Sequence, residues 1–352
     1  MKILAIDLGK HKSVFAVYLA AAGEDPEFGR LETSPQAFHD LLVKQAPDRL
    51  VIEAGPSAGW VCDLAQGLGI KIQVANANDE RWQWKKVKHK TDRKDALKLA
   101  QMSEMGCLPT VHVPAPRVRQ WRSFIEYRHA LVGRRTAIKN SIRSIFERQG
   151  LKLPGGEKAW TAAGLEQIKA DMRESSAVAA DELWRFHLHS ELQSLEGVEK
   201  QIQQVEAKLA ELARADERVK LVRTAPYVGP RLGEAVVAII DDPKRFKSGR
   251  QVSSYVGLTP RCWQSGQMDR QGHISHAGNT LLRELLVEIA WLGVRAGTWM
   301  KHVYENVCRG SDKRKKIAIV AVARRLLVKL WAMLRDGAAW KEPSGPSISP
   351  TS

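Results

Sequence analysis

The chain has 352 residues, a length typical of about two domains, and its 44% hydrophobic content excludes a wholly disordered protein. It carries 55 Lys and Arg against 39 Asp and Glu, a net charge of +16, which indicates a polyanionic partner unless the charge serves only solubility. No cysteine pair has zinc-site spacing, the start MKILAIDLGK is not a secretory signal, and no apolar run reaches the ~18 residues that span a bilayer. We therefore expect a soluble, cytoplasmic protein with no membrane partner.

Strand and helix signals alternate over residues 1–110, which predicts an α/β domain. The predicted strands are Ile3–Ile6, Ser13–Leu19, Arg30–Thr33, Arg49–Glu53 and Lys71–Ala75, with the first two close enough to form a hairpin. The predicted helices are Gln36–Lys44 and Ser57–Gly67.

Residues 111–218 are predicted to form a basic helical and coiled-coil region. Pro116–Gln149 contains nine Arg or Lys and two Glu, with Leu131, Ile138, Ile142 and Ile145 on one helical stripe. A second stripe is basic and is predicted to contact nucleic-acid backbone through Arg128, Arg135, Lys139 and Arg143. The apolar positions from Leu195 to Leu212 step by three and four, which fits an intramolecular helical hairpin or a contact between subunits equally well.

Residues 219–336 are predicted to form a mostly helical third region, followed by a disordered tail over 337–352. Thr224–Pro230 resembles a helix-hairpin-helix turn, in which Gly229 lets a phosphate approach the backbone. Leu281–Leu292 and Ile317–Leu334 have helical spacing, whereas Phe246–Asn279 is rich in Gly, Ser and Gln and is predicted to be largely a loop.

Four carboxylates form the candidate metal site. Asp7 and Glu53 each end a predicted strand, and residues at strand ends line the functional edge of an α/β sheet. Asp92 and Asp95 are spaced to share one face of a helix. Together the four could hold two Mg²⁺ ions against a phosphoryl group. Each element alone also fits a turn residue, a solvated strand end or a solvated helix face.

Ser265 lies in the Gly- and Ser-rich segment and precedes Gly266, with Arg261 nearby to bind a phosphate. A serine hydroxyl needs an activating metal, base or polarised phosphate to act as a nucleophile. Read alone, Ser265 is an ordinary loop serine, and the competing serines are Ser248, Ser253, Ser254 and Ser275.

Four segments of the chain resemble one known family: ILAIDLGKHKSVFAV, VIEAGPSAGW, KTDRKDA and VGLTPRCWQSGQMDRQGHISHAGNTLLR. They are similar to the DEDD transposases of the insertion-sequence one-ten group, which move mobile elements with a structured bridge RNA. The resemblance covers about residues 1–335. It implies a RuvC-like (ribonuclease-H-like) N-terminal domain, a helical coiled-coil segment and a C-terminal transposase domain.

The resemblance also implies roles for residues. The four acids match Asp7, Glu53, Asp92 and Asp95, and the nucleophile matches Ser265, which would attack a DNA phosphate and form a phosphoserine link. The implied partners are Mg²⁺, donor and target DNA, a guide RNA and further copies of the chain in a dimer or tetramer. The chain departs from the family at Gln267, Met268 and Asp269, where basic residues are usual, and at His276, often Lys.

The residue patterns together with the family resemblance leave three hypotheses for the function. The first is an RNA-guided DNA recombinase that uses Ser265. The second is a RuvC-type junction nuclease, in which the metal site activates water. The third is a nucleic-acid scaffold whose acids are only solvated.

Overall fold

The computed structural model describes residues 1–19, 25–76, 79, 91–174, 179–265, 268–275 and 277–342, and within these ranges the side chains outside 262–271. The chain forms two compact units, Met1–Arg117 and Val118–Ser352. No helix among these residues is long and apolar enough to cross a membrane.

Unit 1 is a five-stranded mixed sheet with three helices. Its elements are β1 (Lys2–Asp7), β2 (Lys12–Leu19), β3 (Glu27–Glu32), α1 (Pro35–Gln45), β4 (Arg49–Glu53), α2 (Ala58–Gly67), β5 (Lys71–Ala75) and α3 (Asp92–Glu104). The strand order is β3-β2-β1-β4-β5. The first three strands pair antiparallel, and β4 and β5 join parallel to β1. This arrangement is ribonuclease-H-like, as the resemblance implied.

The central strands are apolar because both faces of the sheet are covered. Leu4 and Ile6 of β1 pack in one cluster with Phe38 of α1 and Val61 of α2. Ile3, on the opposite face, packs in a second cluster that includes residues of α3. A strand buried on both faces is a continuous apolar run, which is why β1 and β4 are readily predicted.

Unit 2 is mostly helical. Its elements are α4 (Pro116–Arg148), α5 (Ala162–Ala170), α6 (Leu183–Arg214), α7 (Glu217–Val222), α8 (Pro230–Ile240), α9 (Gly249–Tyr255), β6 (Pro260–Ser265), β7 (Met268–Ile274), α10 (Thr280–Arg295), α11 (Trp299–Cys308) and α12 (Lys315–Asp336). Its main core joins the N-terminal half of α4 and the C-terminal half of α6 to the helices from α7 onward.

Helices α4 and α6 pack as an antiparallel pair within the chain. Near one end Ser141 Oγ lies 2.8 Å from Glu191 Oε1, and near the other Arg128 Nη2 lies 2.7 Å from Glu206 Oε1. Leu195, Ile202, Val205 and Leu209 of the heptad-like series are buried. Of the two interpretations of that series, intramolecular packing accounts for these positions.

Two expectations for the C-terminal region are corrected. Phe246–Asn279, predicted to be largely a loop, contains α9 and the antiparallel hairpin β6–β7. Its strands are short and lack a strong apolar alternation, so periodicity conceals them. Residues 337–342 also differ from the predicted disordered tail, because the Trp340 ring lies 5.8 Å from Trp299 and its backbone N–H donates to Thr224 Oγ1 at 2.9 Å. The tail beyond 342 lies outside the described residues.

Candidate functional site

Two acidic residues end neighbouring strands of unit 1. Asp7 is the last residue of β1, and Glu53 is the last residue of β4. The strands run parallel with Ile6 opposite Ile52, so the two acids follow as the next positions at one edge of the sheet. Both acids are half-buried, whereas Ile6 and Ile52 are fully buried. The strand order therefore brings these two carboxylates to the same edge.

Both acids also belong to the sheet face that α3 covers. Side chains alternate between faces along a strand, so Asp7 shares a face with Ala5, and Glu53 shares a face with Val51. Ala5 and Val51 pack in one core cluster with Leu99 of α3. The edge that carries the acids is thus next to one end of this helix.

The contacts of α3 show which end that is. Arg49, the first residue of β4, donates to the carbonyl and hydroxyl oxygens of Ser103 at 3.1 and 3.0 Å. Tyr18, which pairs with Ile3 near the start of β1, donates to Glu104 Oε2 at 2.6 Å. The C-terminus of α3 therefore lies at the opposite edge, and its N-terminus lies at the edge of Asp7 and Glu53.

The first turn of α3 carries the other two acids. Thr91 caps the helix by accepting a hydrogen bond from the Lys94 N–H at 3.4 Å. Asp95 is only 5% exposed and faces the sheet, whereas Asp92 is exposed at the start of the helix. Burial lowers the pKa of the Lys98 ammonium, and attraction to Asp95 opposes that shift. A cationic group thus lies near the buried carboxylate.

The donor set suits a hard divalent cation. All four predicted ligands offer carboxylate oxygens, which Mg²⁺ prefers, and at least one is buried. Within the described part of the chain, no three Asp, Glu, His or Cys side chains lie close enough to hold one metal ion. The fold therefore gathers the carboxylates at one edge without closing a coordination sphere around them.

The turn after Asp7 requires glycine. A Cβ on Gly9 would lie 2.0 Å from the Lys12 carbonyl oxygen, so no other residue fits this approach. The Thr33 hydroxyl donates to the Gly9 carbonyl at 2.9 Å and lies 2.8 Å from the Ser13 hydroxyl. This packing fixes the chain immediately after the first acid.

Ser265 is the last residue of β6 and pairs with Met268, the first residue of β7. Its side chain lies outside the described ones, as does all of His276. At the open end of the hairpin, the Ser275 N–H donates to the Thr259 carbonyl at 2.9 Å. Arg261, predicted to bind a phosphate, donates to the Ser275 carbonyl at 3.2 Å and is exposed. The hairpin thus carries Ser265 at the end opposite the contact between Thr259 and Ser275.

Two of the competing serines have structural roles. Ser248 caps α9 by accepting from the Gln251 N–H, and Ser253 is fully buried and donates to the Gly249 carbonyl at 2.6 Å. Ser254 and Ser275 remain as competitors of Ser265.

The chain that enters the hairpin closely contacts the chain that leaves it. We call this contact, between residues 255–257 and 277–278, the hairpin base. Gly257 and Gly278 both have positive φ, at +76° and +80°. A Cβ on Gly257 would lie 1.9 Å from the Ala277 carbonyl oxygen, and one on Gly278 would lie 2.0 Å from the Tyr255 carbonyl oxygen. Both positions therefore need glycine.

Arg283 of α10 completes the hairpin base. Its side chain is 8% exposed, and Nη1 donates to the carbonyls of Val256 and Ala277 at 2.9 and 3.2 Å. Nη2 donates to the Thr280 hydroxyl at 3.2 Å. A buried guanidinium thus ties the end of α9 to the chain that leaves the hairpin.

The predicted basic stripe of α4 is largely engaged within unit 2. Arg128 binds Glu206 through Nε and Nη2 at 2.9 and 2.7 Å. The Lys139 ammonium and Arg143 guanidinium lie 4.9 and 5.3 Å from the Trp160 ring centre. Arg143 also donates to the Gly156 carbonyl, while Arg135 is half-buried. Nucleic acid would have to compete with these contacts.

Two family models match the chain. One, described as "Transposase" and belonging to the DEDD type of the IS110 group, matches residues 4–149 and so spans the four acids. The other, "Transposase IS116/IS110/IS902 family", matches residues 219–305 and spans Ser265. The chain belongs to this transposase family.

Relatives match along most of the transposase. A "Probable family 20 transposase" of Pseudomonas aeruginosa is 29% identical over 339 residues, covering 95% of this chain and 97% of the relative. The "Transposase for insertion sequence element IS1111A" of Coxiella burnetii is 27% identical, covering 81% and 77%. A solved Thermus thermophilus RuvC structure, 15% identical with a TM-score of 0.23, covers 32% of this chain and 100% of its own. Membership of the transposase family makes the protein an enzyme that cleaves and rejoins DNA.

The predicted helix-hairpin-helix-like turn lies between α7 and α8 of the transposase. Gly229 precedes α8, and Pro230 is its first residue. Gly229 has φ −75°, and a Cβ there would meet no atom within 4 Å. Neither backbone strain nor internal packing requires glycine here, so its surface is open to an approaching group.

Three arginines that sequence analysis missed bind the C-terminal carbonyls of α8. Arg122 donates to the Ala238 and Ile239 carbonyls at 2.7 and 2.9 Å, and burial lowers its pKa. Arg245 donates to the Ile240 carbonyl at 3.1 Å, and Arg218 to the Asp241 carbonyl at 3.1 Å. They satisfy carbonyls that lack helical partners, so part of the basic charge is structural.

Proposed function

We propose that this transposase cuts and rejoins DNA by attack of the Ser265 hydroxyl on a backbone phosphate, at a site where Asp7, Glu53, Asp92 and Asp95 hold Mg²⁺. The observation that supports the proposal best is the position of α3. Its N-terminal carboxylates lie at the sheet edge and on the sheet face that carry Asp7 and Glu53.

Mg²⁺ bound to these carboxylates would supply positive charge beside the scissile phosphate and its leaving oxygen. The four acids are held by two kinds of element. Asp7 and Glu53 are held by β1 and β4, whereas Asp92 and Asp95 are held by the capped first turn of α3. Ligands on such rigid elements keep their geometry better than ligands on loops.

The proposed covalent step conserves the phosphodiester. The Ser265 oxygen bonds to phosphorus and the bond from phosphorus to one deoxyribose oxygen breaks. The hydroxyl proton leaves to solvent, and the freed deoxyribose oxygen takes up a proton. Attack by a DNA hydroxyl on the phosphoserine reverses these changes and releases Ser265. Cutting and rejoining thus need no further co-reactant.

Trapping the enzyme on DNA tests the serine. Wild-type protein with end-labelled DNA and Mg²⁺ should give a denaturation-resistant adduct, which Ser265→Ala should abolish and Ser254→Ala and Ser275→Ala should retain. Cleavage without an adduct would instead support a metal-activated water, as in a RuvC-type nuclease.

The acids have their own test. Asp7→Asn and Asp95→Asn should each lower cleavage by at least about 100-fold, since removal of one charge-stabilising group commonly has that effect. Binding of the same DNA in EDTA should stay within about threefold, because carboxylates do not attract phosphates. Glu104→Gln, at the other end of α3, is the matched control. Full cleavage by both acid variants would refute the metal assignment.

We further propose that a structured RNA guides target choice and that the enzyme works as a dimer or tetramer. The support is the family resemblance and a net charge of +16. Sequencing the nucleic acid that copurifies with the protein should recover one discrete structured RNA. Recovery of random fragments alone would refute the guide.

The backbone contacts proposed are Arg128, Arg135, Lys139, Arg143, Gly229 and Arg261. Arg128 would exchange Glu206 for a phosphate, so its contribution should be smaller than that of an unpaired arginine. DNA affinity measured against salt concentration tests the set, because each phosphate contact adds about 0.9 to the slope for duplex DNA. Arg135→Gln should reduce the slope. An unchanged slope would show that Arg135 is not one of the phosphate contacts.

A further inference from the structure

An exposed aromatic side chain lies on α10 beside an open depression. Trp291 is 37% exposed and Leu292, the next residue, is 44% exposed, so two large apolar side chains lie together at the surface of α10. With Glu288 and Arg295 they line a depression of about 580 Å³. The surface is large enough to receive a flat ring.

This surface continues across α11 toward the start of α12. The Trp291 ring centre lies 5.7 Å from that of Tyr304 on α11. Burial and a hydrogen bond with Cys308 raise the pKa of the Tyr304 phenol, and the nearby Lys315 ammonium opposes that shift. Aromatic and basic side chains thus follow one another from α10 to the α11–α12 connection.

The basic residues here exceed the acidic ones. Between Arg295 and Lys316 the acids are Glu305 and Asp312, and each pairs with a lysine, Lys301 at 3.9 Å and Lys315 at 2.8 Å. Five exposed cations in this stretch have no carboxylate within 4.0 Å among the residues described: Arg295, Arg309, Lys313, Arg314 and Lys316. The α4 stripe differs, because Arg128, Lys139 and Arg143 already contact Glu206 or Trp160.

We propose that this surface, which we call the Trp291 face, binds an unpaired strand of nucleic acid, with a base on Trp291 and phosphates on the five cations. An exposed aromatic ring beside a basic track is how proteins hold single strands, because every base has a π-face that can stack. A duplex offers the same phosphates but no free base. Glu288 would repel phosphate and so direct the backbone toward Arg295 and α11.

The inference rests on the nucleic-acid partnership of the proposed function and not on Ser265 or the metal. Equilibrium binding in EDTA tests it without cleavage. If the serine or metal experiments fail, the inference about the Trp291 face is unaffected. If the binding experiments at the Trp291 face fail, the serine and metal proposals are unaffected.

The first experiment compares a labelled single-stranded oligonucleotide with its duplex by fluorescence anisotropy. Trp291→Ala should weaken single-strand binding about 5- to 150-fold, the range of one base–aromatic stack, and change duplex binding less than twofold. Trp291→Phe should restore most of the affinity. The control is Phe186→Ala on α6, where an aromatic residue is 38% exposed.

The second experiment removes cations. The triple variant Lys313→Gln, Arg314→Gln, Lys316→Gln should reduce the salt slope of single-strand binding by about 2, since each contact contributes about 0.7. Lys208→Gln and Lys220→Gln, whose lysines pair with Glu211 and Glu217, should change it little.

Three results would overturn the inference. One is an equal loss of single-strand and duplex binding in Trp291→Ala, and another is a loss as large in Phe186→Ala. The third is unchanged affinity with an altered oligomeric state in light scattering, which would assign the Trp291 face to a contact between copies of the chain.

Discussion

Replacing Arg283 by methionine tests the hairpin base most directly. The variant keeps most of the buried side-chain volume but removes the donors to the carbonyls of Val256 and Ala277. A hydrogen bond from a charged group contributes about 1.5–3 kcal/mol, and a buried carbonyl left without a donor costs about 1–3 kcal/mol. Because the bonds share one guanidinium, we expect a total loss of about 3–4 kcal/mol rather than the full sum.

Such a loss is a large part of the stability of a domain, which is typically about 5–15 kcal/mol. Urea denaturation followed by circular dichroism should show it, and Arg283→Lys should recover part of it by donating to one carbonyl. Hydrogen exchange adds a local measurement, since the Leu258 and Ser275 amides bond to the Ser253 and Thr259 carbonyls. Both amides should exchange faster in the variant.

The control is Arg325→Met on the exposed side of α12, which should stay within about 0.5 kcal/mol of wild type. DNA cleavage, measured below the unfolding transition, should fall more in Arg283→Met than in Arg325→Met because the hairpin carries Ser265. A loss of stability under 1 kcal/mol together with unchanged amide exchange would refute this account of Arg283.

Three other perturbations have defined outcomes. Burial raises the pKa of Glu234 above its ordinary 4.5 despite Arg231, so its ionisation disfavours the folded state and the unfolding free energy falls as pH rises through that raised pKa. In urea titrations from pH 4 to 7.5, the unfolding free energy of Glu234→Gln should therefore rise relative to that of wild type as the pH rises. A difference in unfolding free energy that stays constant with pH would contradict this. Gly257→Ala should cost at least about 2 kcal/mol of stability, more than Gly297→Ala, which has the same φ of +76° but open space around it. Thr91→Ala should cost about 1 kcal/mol and raise the Mg²⁺ concentration needed for cleavage, with excess Mg²⁺ restoring the rate; an unchanged requirement would separate the α3 cap from the metal site.

The strands of unit 1 are predictable from the sequence because their signals are local. Arg49–Glu53 and Lys71–Ala75 have the observed strand bounds, since apolar runs end there at turn-forming residues. The direction of α3 could not be predicted, because it depends on contacts between residues distant in sequence, such as Arg49 with Ser103. That direction brings Asp95 toward the strand ends.

Unit 2 was less predictable for the same physical reason. The hairpin β6–β7 has weak alternation, and its base depends on Gly257 meeting Ala277 across the fold. In the sequence, Arg283 is one of four charged residues of α10, and only the structure shows that it is buried on carbonyl oxygens. The sequence shows that the charge is present, but it does not show which groups the charge contacts.

The partners of the basic residues also determine which of them can bind nucleic acid. Helical spacing singled out Arg128, Lys139 and Arg143 because they share one stripe of α4, yet Glu206 and Trp160 already contact them. A cation held by a carboxylate must lose that partner before it gains a phosphate, so its net contribution is small. A cation such as Lys313 on the Trp291 face loses no such contact. The salt dependence of single-strand binding should therefore respond more to the α11–α12 connection than to α4, although α4 has the more regular basic pattern.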